Sequence, residues 1–261
     1  MSSLLERGVR GETLDDIDIV DMHCHLGRYE FAVPETSPAS LVRVMDRIGV
    51  SCAVASHTRV LSGRVRAGND EVIEAARAFP GRIFGYAILW PTSAAWVREE
   101  TLRCLDAGFV GVKLHNANGF PYTHPAYAPA FEIADDRKLP VLLHTYGEAP
   151  ELAQARELAG RYPNVRLLLA HAGAKDADGY VSIANDCANV YLDLCMSRQW
   201  RGLIERFCAE VGADRIVWGS DATFLNMAHQ IGKVLGAHIP DEDKTKLLST
   251  NARRILSGAG T

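Results

Sequence analysis

Eight short runs rich in Val, Ile and Leu recur along this chain, at residues 17–26, 52–57, 83–90, 110–115, 141–144, 165–171, 190–195 and 216–221. Between them lie segments whose apolar residues fall at helical spacing, such as Leu41, Val44, Met45 and Ile48, or Val72, Ala75, Ala76 and Phe79. A longer stripe runs through Trp200, Leu203, Ile204, Phe207, Cys208 and Val211. Strands apolar on both parities must be covered on both faces, which a parallel sheet wrapped in helices achieves. Eight βα units in 261 residues predict one (β/α)8 barrel, a TIM barrel of class α/β, with a doubly wound open sheet as the alternative.

The punctuation agrees with this reading. Ser37-Pro38 and His124-Pro125 each offer a cap followed by proline at the first helical position, and Gly49 and Gly108 follow helical stripes where a left-handed residue is expected. No Pro/Gly-rich linker divides the chain, so residues 1–261 are read as one domain, with an N-terminal extension at 1–16 and a flexible tail at 257–261. At 48% hydrophobic residues, the chain can bury a large core.

A net charge of −4 with dispersed Lys and Arg gives no field for a phosphate backbone, which argues against nucleic acid as a partner. The N-terminus lacks a signal-peptide pattern and no run reaches the length of a membrane span, so a soluble protein is expected. Six scattered cysteines without a C-x-x-C pair suit reduced thiols in a cytoplasm. A homo-oligomer is left open.

Chemistry is suggested first by Asp21-Met22-His23-Cys24-His25-Leu26-Gly27. Two histidines two apart on a strand leave the same face, with Met22 and Cys24 expected on the other, and together they can grip a metal ion. The bland alternative, a hydrogen-bonded pair of core histidines, must satisfy four ring nitrogens. Other strands end in polar residues too: His144, His171 and Asp221 close the fifth, sixth and eighth runs. Barrel active sites lie at those C-terminal strand ends, so the four strands converge on one mouth.

These segments, with Gly-Val-Lys-Leu-His on the fourth run, Ala-His-Ala-Gly on the sixth, Trp-Gly-Ser-Asp on the eighth and a closing Asn251-Ala-Arg-Arg-Ile-Leu, resemble the amidohydrolase superfamily. The likeness is to its amidohydrolase-related (amidohydrolase 2) branch of small TIM-barrel hydrolases and decarboxylases. The resemblance implies one divalent metal ion per chain on His23, His25, His144 and Asp221, with His171 as a ligand or a substrate contact. Three imidazoles and a carboxylate suit Zn2+ best, and Mn2+ is also accommodated. In binuclear relatives a carbamylated lysine bridges two metals, whereas here Lys113 is read as a buried structural or substrate-orienting cation.

Around the mouth, Arg28, His57, Arg59, Lys113, His115, Tyr146 and Arg198 are candidate contacts for a small-molecule substrate. Two inward arginines would imply an anionic one. Trp90 and Tyr146 are candidate pocket walls, and Cys195 reads as a small core residue with no partner that the sequence names. The expected reaction is hydrolysis of an ester, lactone or amide bond by a metal-activated water, with Asp221 moving the proton and His171 steadying the developing charge. The alternative is non-oxidative decarboxylation on the same residues.

Overall fold

In the computed structural model, residues 2–30, 32–33, 35–196 and 198–257 are described. Eight strands, β1 (Ile19–Leu26), β2 (Val50–His57), β3 (Ile83–Ile88), β4 (Gly111–Leu114), β5 (Pro140–Leu143), β6 (Arg166–Leu169), β7 (Val190–Asp193) and β8 (Ile216–Val217), pair in sequence order. Every pairing is parallel. The last strand returns to the first, since Met22 N–H donates to Trp218 O at 3.0 Å and Asp221 N–H to His23 O at 2.8 Å. The sheet is therefore a nearly closed barrel, and the open-sheet alternative falls.

A short helix α1 (Leu4–Val9) precedes the barrel, and each strand is followed by a helix: α2 (Pro38–Ile48), α3 (Val65–Ala78), α4 (Ala94–Asp106), α5 (Ala128–Arg137), α6 (Ala149–Arg161), α7 (Ala177–Asp186), α8 (Leu203–Glu210) and α9 (Met227–Gly236). The Ser37 side chain caps α2 by accepting from Ser40 N–H, and Gly49 closes it at φ 94°. The stripe on α2 differs from expectation at Val44, which is exposed, while Val42 is buried beside Leu41 and Met45. Trp200 likewise lies before α8 and is half exposed.

Two apolar layers result. One lies between sheet and helices, and includes Leu41, Met45, Val141, Leu143, Leu167 and Leu169. The other fills the barrel interior with Val20, Met22, Cys52, Val54, Tyr86, Leu142, Leu168 and Val217. Ala252, Ile255 and Leu256 of a closing helix join that interior cluster, and Arg253 of the same helix forks onto Asp18 at the start of β1 at 2.6 and 2.7 Å. The closing helix thus stoppers the N-terminal end of the barrel, leaving the C-terminal mouth for chemistry.

The N-terminal extension is ordered against the body. Leu4 N–H donates to Asp241 Oδ2 at 2.9 Å, and Gly8 lies close against Leu235 of α9. Of the tail expected at 257–261, Ser257 ends the closing helix and 258–261 lie outside the described residues.

Candidate metal centre

The β1–β2 register shifts twice, between Ile19 and Val20 and again between Asp21 and Cys24, and the second shift breaks the alternation expected of β1. Asp21 pairs with Ala53 and Cys24 with Ala55, so three steps on β1 oppose two on β2, a β-bulge. Met22 therefore joins the barrel interior while Cys24 packs in the outer layer, contrary to the single shared face expected for them. His23 and His25 still meet beyond the bulge, their Nε2 atoms 3.1 Å apart. The buried Asp21 carboxylate fills the bulge, accepting from His23 N–H at 3.1 Å, Ser220 N–H at 2.9 Å and Cys24 Sγ at 3.0 Å. Burial lifts its pKa to about 6, against those hydrogen bonds.

His144 and His171 sit just past the last ladder pairs of their strands, and Asp221 lies beyond the end of β8, next to an isolated parallel bridge between Cys24 and Ala222. His171 and Asp221 both take left-handed φ values, 54° and 56°. For residues other than glycine this costs about 1–3 kcal/mol and persists only where surroundings enforce it. Asp221 is held by its N–H on His23 O, and His171 by its N–H on Cys195 Sγ at 3.3 Å.

Asp221 Oδ1 lies 3.0 Å from His25 Nε2 and 3.8 Å from His23 Nε2. These three donors can hold one metal ion. An ideal tetrahedral ion with bonds of about 2.0–2.1 Å would space its ligands about 3.3 Å apart, and the three separations bracket that value. Burial opposes the charge on Asp221, but hydrogen bonding to His25 and the surrounding imidazoles and Lys113 hold its pKa below the ordinary carboxylate value.

His144 stands outside that trio. Its Nδ1 is 3.2 Å from His171 Nε2, and its ring stacks on His115 with centroids 3.6 Å apart. His171 Nδ1 donates to Cys195 O at 2.6 Å, so its Nε2 is left to accept from His144 Nδ1–H, and Nε2 of His144 keeps its lone pair. Burial lowers the pKa of all three rings, His171 to about 4, His115 to about 2 and His144 well below its ordinary value. They are neutral at pH 7.

Lys113 is fully buried, with Nζ 3.2 Å from His23 Nε2 and a pKa lowered by burial to about 8. Cys195 has the partners that the sequence did not name: its Sγ is 2.9 Å from His23 Nδ1 and accepts from His171 N–H. Burial and the neighbouring Asp193 carboxylate push its thiol pKa well up, so it is no nucleophile. A second trio, His23, His171 and Cys195, also lies within ligating distance. Its imidazole Nδ1 atoms, however, already face Asp193 and Cys195 O.

Above these groups is a cavity of about 270 Å³ lined by His25, His115, His144, His171 and Asp221, with Tyr29, Tyr146 and Phe224 as aromatic walls and Val60 and Leu61 as apolar ones. Phe224 stacks on the His25 ring at 5.0 Å. Tyr146 lines this space as expected, whereas Trp90 packs edge-on against Phe120 instead.

The expected arginines do not reach this cavity. Arg59 Nη2 and His57 Nε2 share Glu71 at 2.8 and 3.0 Å, and with Arg28 they line a separate surface cavity. Arg198 is exposed and lines neither cavity. The carboxylate of Glu71 explains the placement, since it gives the His57 ring and the Arg59 guanidinium a partner on the side away from the cavity.

Sequence reasoning missed Asp193 and Ser56. Asp193 Oδ2 lies 2.7 Å from His23 Nδ1, and Ser56 Oγ lies 3.2 Å from His25 Nδ1. The available signal was parity: Asp193 stands two residues before Cys195 and Ser56 one before His57, each on the inward side of its strand.

A family model described as amidohydrolase matches residues 20–257. The chain belongs to that family. Among curated proteins it is similar to the gamma-resorcylate decarboxylase of Rhizobium sp. (strain MTP-10005), 26% identical over 254 residues covering 74% of this chain and 76% of the relative. Another gamma-resorcylate decarboxylase, from Polaromonas sp., is 24% identical over 283 residues, covering 82% and 86%. The fold is similar to that of a dihydroxybenzoic acid decarboxylase from Polaromonas sp. JS666 solved with manganese and 2-nitroresorcinol, at TM-score 0.76, 19% identity, and coverage of 92% and 97%.

These names overturn the leading expectation of ester, lactone or amide hydrolysis. The residues of the site serve either reaction, so nothing in the strand-end pattern had separated them. Among the described residues no helix is long and apolar enough to cross a membrane.

Proposed function

We propose that the chain is a metal-dependent, non-oxidative decarboxylase of a single-ring hydroxylated aromatic carboxylic acid. The observation that carries this reading is its likeness, over 74–82% of its length, to relatives named gamma-resorcylate decarboxylase. The cavity supports it, since about 270 Å³ with aromatic walls is below the roughly 300–1,000 Å³ of drug-sized pockets and suits one ring.

His23, His25 and Asp221 would hold one divalent ion, with the free Nε2 of His144 as a fourth ligand. The donor set suits Zn2+, and the manganese in the related Polaromonas structure makes Mn2+ equally compatible. The chemistry such an ion supplies is Lewis-acid stabilisation of a negatively charged substrate oxygen.

The protein's own residues supply the proton transfers. Asp221, ionised at rest, takes the proton of a phenolic hydroxyl ortho to the carboxylate and delivers it to the ring carbon bearing that carboxylate. The C–C bond then breaks, CO2 leaves, and the bonding pair restores the aromatic ring as a phenolate, which takes one proton from water. Asp221 returns to its ionised form, and the reaction consumes one proton overall. Val60, Leu61 and Phe224 exclude water from a carboxylate that must lose its charge. His171, fixed on Cys195 O, orients His144.

Metal-reconstituted protein incubated with 2,6-dihydroxybenzoate and other hydroxybenzoates should release CO2 and the matching phenol in equal amounts. Absence of CO2 from the whole panel, with both Zn2+ and Mn2+, overturns the proposal.

A further inference from the structure

The Asp193 carboxylate is fully buried inside the barrel, where it meets His23 and both the backbone N–H and the thiol of Cys195. Its Oδ2 lies 2.7 Å from His23 Nδ1, and its Oδ1 accepts from Cys195 N–H at 3.2 Å. The other nitrogen of His23 faces Lys113 Nζ at 3.2 Å. An ammonium has only donors, so His23 Nε2 is the acceptor there and the ring proton sits on Nδ1, directed at Asp193. The packing is built around this pair: a Cβ on Gly219 would come within 2.5 Å of both Asp193 Oδ1 and His23 Cβ.

From this geometry we infer that Asp193 is a positioning residue that locks His23 in the tautomer whose Nε2 lone pair points at the metal centre. The inference rests on the metal reading given above. Carboxylate partners of ligating histidines fix ring orientation and tautomer, and losing one costs about 10–100-fold in metal affinity.

The site makes a distinctive order of effects. In Asp193→Asn the side-chain oxygen stays on Cys195 N–H, which turns the amide NH2 toward His23 Nδ1. That nitrogen must then accept, the proton moves to Nε2, and the lone pair aimed at the metal is lost. In Asp193→Ala the ring keeps only Cys195 Sγ, 2.9 Å from Nδ1, a weak partner that can donate or accept and so forces neither tautomer. Asparagine, the closer match in shape, should therefore bind metal more weakly than alanine, an order that a packing role would reverse.

The test is Mn2+ and Zn2+ affinity by chelator competition for the wild type and both variants, with nitrogen-15 NMR of the imidazoles of the metal-free wild type. Expected are a fall of about tenfold for Asp193→Ala, about a hundredfold or more for Asp193→Asn, and a proton on Nδ1 of His23. A wild type that binds neither ion defeats the metal reading and this inference together. A wild type that binds metal, beside an asparagine variant equal to or better than the alanine one, defeats this inference alone. If either variant fails to fold, the wild-type spectrum decides, because a proton on Nε2 of His23 overturns the assignment.

Discussion

Lys113 Nζ lies 3.2 Å from the same nitrogen of His23 that a metal ion would use. The ammonium and the ion therefore compete for one lone pair, and the two positive charges repel across a site from which water is largely excluded. Asp193 and Asp221 are the nearby carboxylates whose charge favours the ammonium against its burial.

Replacing this lysine with a neutral chain of similar length should relieve that competition. Lys113→Met is expected to bind Mn2+ about tenfold or more tightly, since 1.4 kcal/mol of lost repulsion is already a factor of ten. Titration against a fluorescent chelator measures it. Elemental analysis of the wild type should find one divalent ion per chain. Two ions, with a carbamate on Lys113, would contradict the single-ion reading.

Asp221 holds two roles that can be partly separated. Asp221→Asn keeps the shape and one oxygen but removes the charge and the ability to carry a proton. Metal affinity should fall modestly, because imidazole ligands remain. Turnover at saturating metal should fall by about 10²–10⁴. Near wild-type CO2 release from the saturated variant would assign the proton transfer to another group.

The arginines near the mouth should matter little to turnover. Arg59 is tied to Glu71 and Arg28 faces a different cavity. Arg59→Ala and Arg28→Ala should each leave kcat/KM for a hydroxybenzoate within about threefold, under 1 kcal/mol by the usual conversion. A hundredfold rise in KM for either would place that guanidinium on the substrate.

Stability has its own acidic anchor. The buried Glu100 carboxylate accepts from Arg66 Nε at 2.9 Å, Arg103 Nη2 at 2.6 Å and Asn69 Nδ2 at 2.8 Å, and Asn69 also bonds Ile88 of β3 through both its donor and its acceptor. Burial works against the charge, but Arg103, Asn69 and Arg66 outweigh it and hold the pKa below its ordinary 4.5. A depressed carboxylate contributes stability that is present above its unfolded pKa and lost as pH falls through the folded one. Glu100→Gln should cost about 1–3 kcal/mol at pH 7 by urea unfolding. That gap should narrow as pH drops below about 4.5, in line with the unfolded carboxylate range. A gap constant down to pH 3 would show that the charge is not what Glu100 contributes.

The barrel was legible in the sequence because its determinants are local and periodic. Eight β-rich runs, helical stripes between them, and caps such as Ser37 and Gly49 each state their structure within a few residues. His23, His25 and Asp221 were legible for the same reason: strand periodicity and strand-end position place them before any contact is known. Their bulge was not legible, because whether β1 carries an extra residue depends on what β2 and β8 offer opposite it. The partners of the site were decided only in three dimensions. Asp193 reaches His23 across 170 residues of chain, and Arg59 turns away from the mouth because Glu71, a helix-surface residue in the sequence, happens to face it. Periodicity tells a side chain which way to leave its own strand, but hydrogen-bond partners, tautomers and charge pairing are properties of the space that several strands enclose together.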